Sequence, residues 1–210
     1  MLSHQELYLK TLGVLWIQIL IVVATVIMVG RPPRRFLLTN GWSLLCLGLL
    51  QLGLLLVILW SSMSFWPSFW LFTLLSILNG LLLAPLYVQE KYRNGVRNAL
   101  LSTLVLFLVM TLYGILLPRN WMAGWGRYLF LVLCALLIGV LAQFLMALFG
   151  YSLGGFDRLL SVVGVVLFSI YIAYDTNIIL GGQNTTTNPV LCALRLYYDL
   201  LNLFGFLNRH

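Results

Sequence analysis

Charge is what this sequence has least of. Only 8% of its 210 residues are Asp, Glu, Lys or Arg, where a soluble domain carries about 25%. So thin a polar cover excludes a water-soluble globule, and a mean hydropathy of +1.02 points to lipid as the solvent. Acidic side chains are the scarcest, five in all: Glu6, Glu90, Asp157, Asp175 and Asp199. Cysteine is sparse too. Cys46, Cys134 and Cys192 lie far apart in apolar runs with no metal-ligand spacing, so they read as small buried hydrophobes. His4 and His210 sit near opposite ends of the chain and make no metal site. The net charge of +7 comes without a basic stripe of the kind that tracks a phosphate backbone. The expected partner is therefore the bilayer and not nucleic acid, and no cofactor or resident metal is expected.

What is abundant is apolar sequence in lengths that match a membrane. A spanning helix needs about 20 mostly apolar residues. Residues 11–30 supply the first, longer than the core of a cleaved signal peptide. Arg31-Pro32-Pro33-Arg34-Arg35 ends it, because the prolines cannot continue a helix and the arginines stay at the lipid headgroups. Residues 36–89 carry no charge and are too many for one crossing. The stretch from Ser61 to Ser68 splits them, with Trp60, Trp66 and Trp70 as interfacial anchors. That predicts spans over 41–60 and 69–88, the latter kinked at Pro85 with Asn79 and Gly80 just before it. Gln89 to Arg97 reads as a polar loop. Further spans are expected over 99–117, 128–149, 159–180 and 190–207. The expected fold is all-α: one polytopic transmembrane domain over residues 1–210, a bundle of seven transmembrane helices.

Lys and Arg counts suggest an orientation. One set of loops with the C-terminal tail holds eight (Arg31, Arg34, Arg35, Lys91, Arg93, Arg97, Arg158 and Arg209), against Lys10, Arg119 and Arg127 on the other side. This predicts a cytoplasmic C-terminus and an outside N-terminus. A glycosylation sequon at Asn184 falls in a loop too short to carry it clear of the membrane.

Two of the five acids, Asp175 and Asp199, stand inside apolar runs. An ionised carboxylate at the bilayer centre costs about 2.5–3.5 kcal/mol on insertion scales, so such residues normally face a polar interior and mark function. The sixth and seventh spans are joined by a short loop and should pack as antiparallel neighbours. Arg195, Asp199 and Asn202 follow one another at helical spacing on the seventh, facing Asp175 and Tyr171 on the sixth. Two close carboxylates in a water-poor interior share a proton and titrate as a unit, which would make a pH-responsive gate with Arg195 as counter-ion. The plainer alternative is a structural salt bridge, Asp175–Arg195–Asp199, with no transport role. Gln18, Gln51 and Gln143 are lone amides in spans one, two and five, and read as interhelical hydrogen-bond donors. A proton-sharing pair also suits an intramembrane aspartyl protease, but Leu196-Tyr197-Tyr198-Asp199 lacks the glycines such a site needs. No loop carries a receptor's signalling motif. The chain is expected not to be an enzyme.

Ile170-Tyr171-Ile172-Ala173-Tyr174-Asp175-Thr176 and Ala193-Leu194-Arg195-Leu196-Tyr197-Tyr198-Asp199-Leu200-Leu201-Asn202-Leu203-Phe204 resemble the C-terminal signature of the Bax inhibitor-1 family, and Leu78 to Pro85 resembles its third span. The resemblance implies a central seventh helix. It implies a calcium leak across an intracellular membrane, endoplasmic reticulum or Golgi, that lowers store calcium and suppresses apoptosis, with calcium as permeant ion. It assigns the pH-sensing pair to Asp175 and Asp199; Tyr171, Tyr174 and Asn202 are expected beside them as supporting polar groups. Large DNA viruses carry divergent members, and a compact, viroporin-like chain fits that expectation. Two departures stand out. Family members often carry a latching arginine in span two, whereas here Gln51 is the only strongly polar residue of that span and Arg195 stands on the seventh span at a position usually small or polar in the family, so Arg195 is expected to have taken over the latch. The family's cytosolic N-terminus also opposes the charge count, which leaves that end open. A second functional expectation is a non-conducting membrane protein that modulates cell-death or immune signalling through cell-death regulators or self-association.

Overall fold

The computed structural model describes residues 3–29, 41–60, 64–88, 90–150, 154–183 and 186–208. Arg31, Arg34 and Arg35, the Ser61–Met63 part of the second loop, Asn184, Arg209 and His210 lie outside the described residues. Within them the architecture is all-α, with no strand: α1 His4–Val29, α2 Gly41–Trp60, α3 Phe65–Val88, α4 Glu90–Leu116, α5 Gly126–Leu148, α6 Gly154–Gly181 and α7 Pro189–Leu207. A 3₁₀ turn, Ala123–Trp125, precedes α5. Six of the helices hold described stretches long and apolar enough to cross a bilayer; in α2, itself 20 residues long, the described apolar stretch is Cys46–Ile58. The outward faces are apolar, as lipid contact requires: Leu131, Ile138 and Phe149 of the α5 region and Leu9, Leu20 and Met28 of α1 are well exposed.

Several helices reach further into polar sequence than hydropathy alone predicts. α1 begins at His4 because Ser3 and Glu6 form a capping box. The Glu6 N–H donates to Ser3 Oγ at 3.2 Å and the Ser3 N–H donates to Glu6 Oε2 at 3.0 Å, satisfying two otherwise open donors. The expected polar loop of 89–97 is instead, from Glu90 onward, the opening of α4. Backbone hydrogen bonds hold that segment helical whatever its side chains. α3 continues through Pro85 as far as Val88.

The described chain forms two compact units, Met1–Arg97 with Thr186–Tyr197, and Asn98–Thr185 with Tyr198–His210. α7 is the most enclosed of the spans, and it contributes one half to each unit.

In the first unit α3 is the common partner of α1 and α2. A Cβ on Gly80 would stand 2.6 Å from Thr25 Cβ, so α1 and α3 approach at a glycine, as membrane helices do where lipid offers no hydrophobic drive to association. Gln18 Nε2 donates to Thr73 Oγ1 at 3.1 Å, and Gln51 Nε2 to Asn79 Oδ1 at 3.1 Å. Both amides are the interhelical donors the sequence suggested. α7 opens on an Asn–Pro start: Asn188 Oδ1 accepts the Val190 N–H at 3.0 Å, and Pro189 at the first helical position has no N–H to leave open. The Tyr197 ring meets Phe72 of α3 edge to face, centroids 5.1 Å apart.

In the second unit α5 lies along α6. Gly139 of α5 sits against Leu160, and Gln143 Nε2 donates to Asp157 Oδ1 at 2.7 Å. α7 approaches α6 where Gly164 leaves room for the Phe206 ring, which also stacks on Phe168 with centroids 5.8 Å apart.

Candidate functional site

α6 buries a stripe at three- and four-residue spacing: Ser161, Gly164, Phe168, Ile172, Asp175 and Ile179. Asp175 thus occupies a position that its neighbours fill with apolar bulk, and only 7% of it is accessible. Asp199 of α7 is 8% accessible. Both carboxylates of the expected pair are therefore inside the protein and away from lipid. Tyr171, one turn before Asp175, is half-buried and lies within electrostatic range of Asp175, Asp199, Tyr174 and Cys134 of α5. Three helices of the second unit, α5, α6 and α7, thus bring polar groups to one tyrosine. Tyr171 meets Tyr174 edge to face at 6.3 Å. The Tyr174 hydroxyl is directed to the start of α5, where a Cβ on Gly126 would come within 2.5 Å of it.

The other members of the proposed stripe are placed differently. Arg195 and Asn202 are exposed, while Asp199 is buried. At about 100° per residue, Arg195 and Asn202 both fall to the same side of Asp199, so Asp199 is the inner edge of a stripe whose other members face outward. Asn202 lines a cavity of about 260 Å³ with Leu133, Leu136, Phe168, Gly205 and Phe206. Among the described residues lining that cavity, it is the one with a polar side chain.

Sequence reasoning passed over Asn177, two residues beyond Asp175. Its side chain is almost fully buried. Nδ2 donates to the carbonyl oxygens of Gly114 at 3.2 Å and Pro118 at 3.1 Å, and Oδ1 accepts the Met122 N–H at 3.3 Å. The last carbonyls of a helix lack intrahelical donors, and Asn177 supplies them for the end of α4. Just alongside, a Cβ on Gly114 would stand 2.6 Å from the Ala173 carbonyl oxygen and 2.9 Å from Thr176 Cβ. The segment that carries Asp175 is therefore clamped to α4 on its other side. A signal was present: Asp175-Thr176-Asn177 is a run of three polar residues within a membrane span.

Comparison with known proteins agrees with this architecture. The family model described as "Inhibitor of apoptosis-promoting Bax1" matches residues 4–210. A protein of Helicobacter pylori strain J99 is 33% identical over 130 residues, 60% of this chain and 53% of the relative. The inner membrane protein YbhL of Escherichia coli K12 is 29% identical over 186 residues, covering 83% of this chain and 76% of its own. A Borreliella burgdorferi protein is 28% identical over 213 residues, 95% of this chain and 88% of its own. The chain spans about half the length of the Helicobacter relatives it matches.

Proposed function

The chain belongs to the Bax inhibitor family as a multi-pass integral membrane protein, and from that premise we propose that it is a pH-sensitive calcium leak channel gated by Asp175 and Asp199. The observation that carries this reading is the burial of both carboxylates in one unit with Tyr171 in electrostatic range of each. Buried acidic groups in a membrane protein persist where they handle ions or protons. In this reading a proton shared between the two carboxylates holds α6 and α7 together. Its loss leaves two like charges in a water-poor interior, and the pair either separates or takes up a divalent cation. Arg195 acts as the counter-ion that restrains that change from the outer side of α7. Tyr171 and Tyr174 order the carboxylates, and Asn202 offers the next polar group along the helix.

The relatives named above are bacterial, and one is named an inner membrane protein. They support a bacterial inner membrane as the compartment in preference to endoplasmic reticulum or Golgi. Suppression of apoptosis and a viroporin-like role belong to the reading in which the membrane is intracellular.

The test is calcium flux in proteoliposomes loaded with a calcium dye and titrated across about pH 5–8. Wild type is expected to leak with a sigmoid pH dependence, and Asp175→Asn or Asp199→Asn to flatten it. A wild-type flux that is absent, or flat across that range, rejects the reading and leaves the non-conducting interaction protein in its place.

A further inference from the structure

The first unit contains a layer of polar atoms that the calcium reading does not use. Gln18 is fully buried, yet its Oε1 accepts no hydrogen bond. Gln51 Oε1 is likewise buried and without a donor, as is the Oγ of Ser76, which is fully buried on α3 between Thr73 and Asn79.

The direction of each amide follows from its partners, since oxygen and nitrogen of an amide have similar shapes and only chemistry tells them apart. The Thr73 hydroxyl gives its one proton to the Phe69 carbonyl at 3.0 Å, so toward Gln18 it is an acceptor only. Asn79 must present its NH₂ to the Leu75 carbonyl, 3.1 Å away, so its Oδ1 is what faces Gln51. Each glutamine is therefore obliged to present nitrogen to α3, and flipping either would set oxygen against oxygen. Two carbonyl oxygens are left over by necessity, one on α1 and one on α2, on either side of α3. Ser76 lies three residues from both Thr73 and Asn79, which places its hydroxyl between the two contacts along the helix.

A buried carbonyl without a donor is costly, and more so at membrane depth, where no bulk water can reach it. The side chains and carbonyls that meet here are all uncharged, so a small neutral donor suits them. We propose that the contacts of α3 with α1 and with α2 hold internal water, in which ordered waters donate to Gln18 Oε1 and Gln51 Oε1 and bond the Ser76 hydroxyl. The two carbonyl oxygens and the Ser76 hydroxyl together offer three buried polar atoms to such waters, each of which needs two to four partners. The first unit is thus internally hydrated at mid-span, independently of whether the protein conducts calcium.

Radiolytic labelling of the intact protein in H₂¹⁸O tests this directly. Phe72, one turn before Ser76, is fully buried, so bulk water cannot label it and label there reports water held inside the unit. Wild type is expected to incorporate ¹⁸O at Phe72 or Leu75, and Gln18→Leu with Gln51→Leu to lose at least about tenfold of that labelling. No incorporation at either residue in wild type overturns the proposal without recourse to any variant. Equal incorporation in wild type and the folded double variant overturns it as well. A leak assay on the same preparation is a separate measurement, so the two readings can fail separately.

Discussion

Asn177 of α6 ties down the end of α4: its Nδ2 donates to the Gly114 and Pro118 carbonyls at 3.2 and 3.1 Å while its Oδ1 takes the Met122 N–H. All three contacts have a fixed sense, because the backbone groups are either donors or acceptors. That sense yields a sharp prediction. Asn177→Ala removes the partner from two carbonyls and one N–H and should cost about 2–4 kcal/mol, since each buried group left open costs about 1–3 kcal/mol and some regain water. Asn177→Asp keeps the shape but turns an oxygen toward two carbonyl oxygens, so it should be worse than alanine. Thermal unfolding midpoints in detergent measure both. An Asp variant as stable as wild type would show that the side chain does not donate to α4.

Glycines at helix contacts should respond to substitution according to what lies opposite them. Gly164→Ala drives a methyl into the Phe206 ring and Gly114→Ala into the Ala173 carbonyl. Overpacking of this kind costs about 1–3 kcal/mol. Gly48 and Gly53 of α2 have nothing within 4 Å of an added Cβ. Alanine there should be neutral or stabilise by up to about 1 kcal/mol through helix propensity. The same unfolding assay ranks the four, and a Gly53→Ala protein less stable than Gly164→Ala would contradict the packing described for α6 and α7.

The spans were legible because lipid imposes a length and a composition that a sequence displays openly: among the described residues the seven apolar runs correspond to seven α-helices, six with stretches long and apolar enough to cross a bilayer. The helix ends were less so. Hydropathy registers only the part of a helix that lipid touches, and so it missed the turns that Ser3 and Glu6 nucleate and the polar opening of α4 at Glu90. Asp175 and Asp199 could be picked out because a carboxylate in an apolar run is conspicuous, and both proved buried. Which way their neighbours turn was not legible. Arg195 and Asn202 sit at helical spacing from Asp199 yet on the exposed side. Spacing fixes an angle about the helix axis but says nothing about what packs there. Asn177 shows the converse, a polar residue whose three partners come from 55 to 63 positions away and are invisible to any local pattern.

If Arg195 restrains the aspartate pair, its effect should depend on pH. Arg195→Ala is expected to raise calcium leak at neutral pH, where the proposed gate is in its open-prone form, by about threefold to tenfold, equivalent to about 0.7–1.4 kcal/mol of lost restraint. At acid pH, which closes the proposed gate, the variant and wild type should converge. Arg195→Lys keeps the charge without the fork of five donors and should fall between them. A variant that leaks as wild type does at every pH would reduce this arginine to an outward-facing charge with no part in gating.

Tyr171 offers the most discriminating substitution, because it separates the pair's chemistry from its packing. The ring meets Phe168 in a tilted arrangement at 6.0 Å and Tyr174 edge to face at 6.3 Å, and Tyr171→Phe retains both contacts. Only the hydroxyl within electrostatic reach of Asp175 and Asp199 is lost. The unfolding midpoint should therefore stay within a few degrees of wild type, since about 1 kcal/mol moves a domain of this size by about 2–4 °C. The midpoint of the pH–flux curve should move, because a hydroxyl within electrostatic range of both carboxylates has gone. Tyr171→Ala, by contrast, should lower stability and flux together by opening a cavity beside Phe168. If Tyr171→Phe leaves the pH midpoint where it was, the hydroxyl takes no part in sensing, and the carboxylates respond to protons without it.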